Sequence, residues 1–225
     1  MTRAELAQRI DHTLLRPTST AADIDRLCEQ ALQYHFASVC ILPYWVPRAV
    51  QHLKESGVAV GTVIGFPLGA QMSAVKLYET EQALAAGATE LDMVIALPAL
   101  KSGDWRTVRH EIEQIAALCR SAQPVAVLKV IIECCYLTQE EKIQATRAVA
   151  ESGADFVKTS TGFGEGGATI EDVSLLRAAA PPHLKVKAAG GVRTLNLALE
   201  LFRAGADRIG TSSGVHLLQQ LQEEA

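Results

Sequence analysis

Gly153-Ala154-Asp155-Phe156-Val157-Lys158-Thr159-Ser160 decides the fold, because the chain repeats its layout. Gly87-Ala88-Thr89 leads into Glu90-Leu91-Asp92-Met93-Val94, and Gly205-Ala206-Asp207 leads into Arg208-Ile209-Gly210-Thr211-Ser212. In each, a glycine suited to the turn after a helix runs straight into an apolar strand. Working outward, apolar runs recur at 10–15, 37–42, 58–65, 90–97, 125–132, 155–160, 184–189 and 207–212. They are rich in Val, Ile and Leu, as strands buried on both faces are. Helices with readable ends fill the gaps. Thr18-Ser19-Thr20 precedes Asp23 and Asp25, and Pro47 opens a helix that Gly57 closes. Thr138 to Glu141 reads as a capping box before a helix ending at Gly153, and Thr169 to Asp172 as another.

Strands joined by helices run parallel. Eight such units predict an α/β fold, a (β/α)8 TIM barrel forming a single domain over 1–225 with a short leading helix. An open doubly wound sheet is the alternative, and the even eightfold alternation favours the barrel. Five residues past the repeated glycines stand Asp92, Lys158 and Gly210, which places them at one height. In such barrels the site lies at the C-terminal ends of the strands.

Composition narrows the function classes. Of 225 residues, 48% are hydrophobic and 20% charged, which fits a packed globular chain and not a disordered one. A net charge of -4 provides no basic field for nucleic acid. No apolar run approaches the ~20 residues that span a bilayer. The N-terminal stretch lacks the layout of a secretory signal, so a cytoplasmic location is expected. Cys28, Cys40, Cys119, Cys134 and Cys135 form no metal-type spacing and read as reduced thiols.

Lys129, Lys158 and Lys187 recur at equal intervals of 29 residues, one strand-helix unit each. A lysine is seldom buried without a partner, so each one alone reads as an ion pair, Lys129 with Glu133 for example. Three on consecutive strands, with Asp11 and Asp92 at strand level, point to chemistry. Clustered lysines suit Schiff-base formation. Free lysine titrates near ~10.4, and an amine nucleophile must be neutral. Bringing the value to about 7 takes roughly 4 kcal/mol, within reach of burial plus a close cation. The spacing leaves open which of the three is the nucleophile; a second ammonium nearby would lower its value, and Asp92 stands at the matching height to move protons.

Glycine-rich turns follow the last three strands, at Gly162 to Gly167, at Gly190-Gly191-Val192-Arg193 and at Gly210-Thr211-Ser212-Ser213-Gly214. Any one reads as a plain turn. Three adjacent loops read as a phosphate cup of backbone N–H groups, with Ser212, Ser213 and Arg193 beside them. Asp11 and Thr161 complete the expected substrate contacts. Gly162, Gly164 and Gly167 match a dinucleotide-binding spacing, but Lys187 stands where that site needs an acidic residue. The six histidines show no zinc pattern, so no metal is expected. Of the neighbours Asp11 and His12, only one can face the barrel interior, and Asp11 is the expected one.

DHTLL at 11–15, ELDMV at 90–94, LKVIIE at 128–133, DFVKTSTGFG at 155–164, VKAAGGVR at 186–193 and RIGTSSG at 208–214 resemble the deoxyribose-phosphate aldolases over nearly the whole chain. The resemblance implies a metal-free class I aldolase, a carbon–carbon lyase of (β/α)8 fold without a cofactor. It implies reversible cleavage of 2-deoxy-D-ribose 5-phosphate, in deoxyribose phosphate catabolism, to D-glyceraldehyde 3-phosphate and acetaldehyde. It assigns the Schiff base to Lys158 and supporting roles to Lys187 and Asp92. Some relatives carry lysine after TSTG, where this chain has Phe163, so a charge contact to phosphate is missing there. The chain ends Glu223-Glu224-Ala225 with no tyrosine after Tyr136, so no C-terminal aromatic is expected at the site. Partners are expected to be phosphosugar and aldehyde substrates, with a homo-oligomer, a dimer first, and neither nucleic acid nor membrane. Cys40 at the end of the second strand is a candidate for attack by an enal formed from acetaldehyde, against the plainer reading of a buried inert thiol. A phosphosugar isomerase or epimerase without an imine, and a non-catalytic phosphosugar-binding regulator, are the competing readings. Imine trapping separates both from an aldolase.

Overall fold

The structure is a computed structural model that describes residues 1–223. The last two residues of the terminal Glu-Glu-Ala lie outside the described residues. Eight parallel strands close in chain order: β1 Ile10–Leu14, β2 Ser38–Ile41, β3 Ala59–Ile64, β4 Glu90–Val94, β5 Val127–Ile131, β6 Phe156–Lys158, β7 Lys185–Ala189 and β8 Arg208–Thr211. β8 pairs back onto β1. The helices are α1 Arg3–Ala7, α2 Ala21–Tyr34, α3 Val46–His52, α4 Ser73–Ala85, α5 Leu97–Lys101, α6 Trp105–Ser121, α7 Gln139–Glu151, α8 Ile170–Ala179, α9 Leu195–Arg203 and α10 Gly214–Glu223. This is the (β/α)8 barrel with a leading helix, not an open sheet.

Local chemistry explains most boundaries. Thr20 and Thr138 form full capping boxes with Asp23 and Glu141. Thr169 accepts from the Asp172 N–H without the return bond, so that box is half made. Gly87, Gly153 and Gly205 follow their helices at φ 96°, 80° and 111°, the left-handed turn that the repeat requires. The helix expected to run to Gly57 stops at His52. Glu55 takes φ 62°, a conformation no right-handed helix continues through.

The apolar core lies between the strands and the helix shell. Ile24 on α2, Ile112 and Ile115 on α6, and Leu201 on α9 are all buried there. Each contributes about 1.5–3 kcal/mol by leaving water. Among the described residues no helix is long and apolar enough to cross a membrane.

Inside the barrel the filling is different. Strand registers define layers of four, drawn from alternate strands. Cys40, Asp92, Lys158 and Gly210 form an upper layer from the even strands. Their partners Gly61, Lys129, Lys187 and Asp11 form the next layer from the odd strands. Ser38, Glu90, Phe156 and Arg208 lie beneath. Barrels of this class fill these layers mainly with branched apolar residues. Here seven of the twelve positions ionise as carboxylate, ammonium or guanidinium.

Candidate active site

Strand tilt brings the key side chains together. Asp92 pairs in register with Lys129, and Lys129 with Phe156, so Lys158 is two residues further along β6. A tilt of about 36° lifts the level line by that amount over two strands, which puts Asp92 and Lys158 in one layer. Gly210 leaves room beside them: a Cβ there would come within 3.2 Å of Lys187 Cε.

Asp92 is the hub. Its Oδ2 accepts from Lys158 Nζ at 2.6 Å and from Lys187 Nζ at 2.6 Å, and its Oδ1 accepts from Lys129 Nζ at 2.9 Å. Lys129 also donates to Glu90 at 2.5 Å and lies 3.5 Å from Asp11. Lys187 donates to Asp11 as well. Arg208 closes the set, with Nε on Asp11 at 2.6 Å and Nη2 on Glu90 at 2.9 Å. Lys129 therefore has three carboxylates, Lys187 two and Lys158 one.

The titration directions follow that inequality. Burial alone would raise the Asp92 carboxyl, but Lys129, Lys158 and Lys187 outweigh it and hold it well below the usual carboxylate range. Burial opposes charge on Lys129 and Lys187 too, yet their carboxylates win and both titrate above an ordinary lysine. Lys158 goes the other way: burial, reinforced by Lys187, pushes it down against the single carboxylate of Asp92. Of the three lysines it is the one that loses its proton most readily.

Lys158 is also the one of the three that lines a cavity, of about 650 Å³, at the C-terminal mouth of the barrel. The late loops form one wall through Thr161, Gly162, Gly190, Gly191, Arg193, Gly210 and Ser212. Gly191 takes φ 77° with open space where a Cβ would stand. A Cβ on Gly167 would come 2.4 Å from the Gly190 carbonyl oxygen. The glycines of the β6–α8 loop thus let two backbones meet, a packing reason for the dinucleotide-like spacing. Phe163 lines the cavity and stands edge-on to Phe66 at 5.1 Å, an apolar contact.

Several expected residues lie elsewhere than on the cavity wall. Asp92, Lys187 and Asp11 are fully buried below it. Asp11 faces the barrel interior, while His12 packs on Phe36 and meets Gln30 at 2.8 Å. Ser213 is half-buried behind Ser212, its N–H donating to Thr211. Lys129 does not pair with Glu133. Glu133 instead accepts from the Thr161 N–H and hydroxyl, fixing the start of the β6–α8 loop. Cys40 is buried, its Sγ 4.0 Å from Asp92 and its thiol pushed up to about 11 by burial. The sequence reading missed Arg16 and Arg26, which line the same cavity from the segment after β1 and from α2. Arg16 stands two residues past the end of β1, where the end-of-strand rule points. Arg26 is presented by α2 and gives no such signal. It also missed Glu90 and Arg208, each two residues before a residue it had singled out.

The model of the DeoC/LacD aldolase family matches residues 6–220. A deoxyribose-phosphate aldolase of Carboxydothermus hydrogenoformans is 52% identical over 96% of this chain and 95% of its own length. One from Thermococcus kodakarensis is 50% identical over the full length of both chains. Among solved structures, the deoxyribose phosphate aldolase of Aeropyrum pernix, described as a unique tetramer, superposes with a TM-score of 0.92. It is 36% identical and covers 100% of this chain and 94% of its own.

Proposed function

The chain belongs to the DeoC/LacD aldolase family, and from that premise we propose that it is a deoxyribose-phosphate aldolase working through an imine on Lys158. The observation that carries this reading is the inequality among the three buried lysines. Lys158 alone combines a single carboxylate partner, a lowered titration and a place on the cavity wall. An isomerase needs no neutral amine, so that arrangement favours the aldolase.

The proposed steps conserve atoms and electrons. Neutral Lys158 Nζ adds to the aldehyde carbon of open-chain 2-deoxyribose 5-phosphate, and the carbonyl oxygen takes up a proton. The carbinolamine loses water to give an iminium. A base removes the C3 hydroxyl proton and the C2–C3 bond breaks. Its electron pair passes to the iminium nitrogen as an enamine. C3 leaves as the aldehyde of glyceraldehyde 3-phosphate. Protonation of the enamine at C2 and hydrolysis then release acetaldehyde and the amine. Asp92, hydrogen-bonded to Lys158, is the proton carrier next to the nitrogen, and Lys187 keeps Lys158 neutral through charge. The glycine loops, with Ser212 and Arg193, hold the phosphate, so its binding energy orients the reacting carbons.

The whole chain acts as one catalytic barrel, in the cytoplasm, without a cofactor and as a homo-oligomer. Incubation with 2-deoxyribose 5-phosphate should release glyceraldehyde 3-phosphate and acetaldehyde in equal amounts. Interconversion to an isomeric pentose phosphate without carbon–carbon cleavage would refute it.

A further inference from the structure

The layer below the middle lysines takes no part in the steps above, yet it is charged. Glu90 accepts from Lys129 and Arg208, and Arg208 reaches across to Asp11. We infer that Glu90 and Arg208 are positioning residues: they set the charge of one connected buried cluster at a single excess positive, and Lys158 relieves that excess by releasing its proton. The inference rests on the imine reading of Lys158.

The count comes from every strand around the interior. β1 contributes Asp11, β4 contributes Glu90 and Asp92, and β5, β6 and β7 contribute Lys129, Lys158 and Lys187, all six buried, while β8 contributes Arg208, half-buried at the lower end. β2 contributes Cys40, whose burial keeps the thiol protonated. β3 presents Gly61 and Val63, which carry no charge. Glu133, beyond β5, is tied up by Thr161. Four cations thus face three carboxylates, and ion pairs link all seven. A buried cluster stores excess charge at high cost, because little water screens it. The excess leaves where a cation has least compensation. Arg208 cannot deprotonate, Lys129 and Lys187 each hold two or more carboxylates, and Lys158 holds one. The lower layer therefore acts on Lys158 without touching substrate.

Signs follow from the count. Arg208→Met leaves three cations on three carboxylates, so Lys158 keeps its proton longer. The acid limb of kcat/KM for 2-deoxyribose 5-phosphate, which reports the free enzyme, should move up by on the order of one pH unit. Glu90→Gln raises the excess and should move the limb down by a similar amount. The double variant restores one excess positive and should return the limb to its wild-type position. Arg208→Lys keeps the charge and should keep the limb. A purely structural role predicts lower amplitude in each variant, with no opposed shifts and no return in the double variant. That result would overturn the inference, as would a limb that stays put in both single variants. If Arg208→Met does not fold, Glu90→Gln and Arg208→Lys decide alone: a downward shift in the first and none in the second supports the inference, and any other pairing refutes it. Borohydride trapping with acetaldehyde on each folded protein separates the two readings. An adduct on Lys158 with unshifted limbs sinks the charge inference only. No adduct on Lys158 in the wild type sinks the imine reading itself.

Discussion

Two buried lysine sites in this molecule have opposite outcomes. Lys76 on α4 is fully buried outside the barrel, with Nζ on Glu111 at 2.7 Å and on the Val94 carbonyl oxygen at 2.9 Å. Ser73 donates to the other Glu111 oxygen at 2.8 Å, and Gly65 approaches so closely that a Cβ would sit 2.7 Å from Lys76 Cε. One cation there meets one carboxylate, and the cavity at the barrel mouth does not reach it. Burial pushes Lys76 down as it does Lys158, with Glu111 opposing. Desolvation alone therefore does not distinguish the two sites. Inside the barrel, cations outnumber carboxylates, and the least compensated one faces a cavity. The first site joins α4 to α6; the second is poised for chemistry.

Removing a cation from the second site should break the contrast most strongly. Lys187→Leu deletes the charge that helps keep Lys158 neutral. The amine then holds its proton to higher pH, so activity gained on raising pH appears later. We expect kcat/KM at pH 7 to fall at least ~100-fold, with the acid limb displaced upward. An unchanged limb in steady-state profiles would make Lys187 a direct proton donor instead. At the first site, Lys76→Met leaves Glu111 buried and unpaired, and denaturant melts should show a loss of about 3–5 kcal/mol. Lys76→Met with Glu111→Leu should recover most of it, and both proteins, where folded, should trap imine at the wild-type rate. A trapping defect in the double variant would erase the distinction between the sites.

A smaller effect is expected at the cavity wall. Gly191→Asp puts a carboxylate where the phosphate would bind. It should raise KM for 2-deoxyribose 5-phosphate roughly tenfold and leave that for 2-deoxyribose within about twofold. Equal losses on both sugars would make the loop merely structural. Smallest of all is Cys40→Ala. Its thiol titrates at about 11 and stays protonated at neutral pH, so inactivation by an added enal should proceed at the wild-type rate within about twofold. Marked protection, read as residual activity over time, would place Cys40 in the damage pathway.

The barrel was legible because its strands are buried on both faces and carry near-continuous Val, Ile and Leu. The three lysines stood out because a charge inside such a run is rare. Their unequal roles were not legible. They depend on how many carboxylates surround each nitrogen, which register and tilt decide and spacing along the chain does not. Lys129 was paired with Glu133 on sequence proximity, whereas its partners come from β1 and β4. Glu90 and Arg208 open their strands, where a charge carries no signal of burial. The two-residue period that links them to Asp92 and Gly210 was the available signal. Lys76 and Glu111 sit among polar helix residues, where a charge ordinarily means solvent, and only packing shows them buried. Of the two further arginines on the cavity, Arg16 was legible because it follows a strand, and Arg26 on α2 was not.

The central claim is that Lys158 is selected by being the least compensated lysine inside the barrel and by facing the cavity, which Lys76 with its own single carboxylate does not. Incubating the protein with acetaldehyde, reducing with borohydride and mapping the ethylated peptides by mass tests it directly. The account predicts an adduct on Lys158 at high occupancy, with Lys76, Lys129 and Lys187 unmodified. An adduct chiefly on Lys129 or Lys187, or none on any buried lysine, would contradict it.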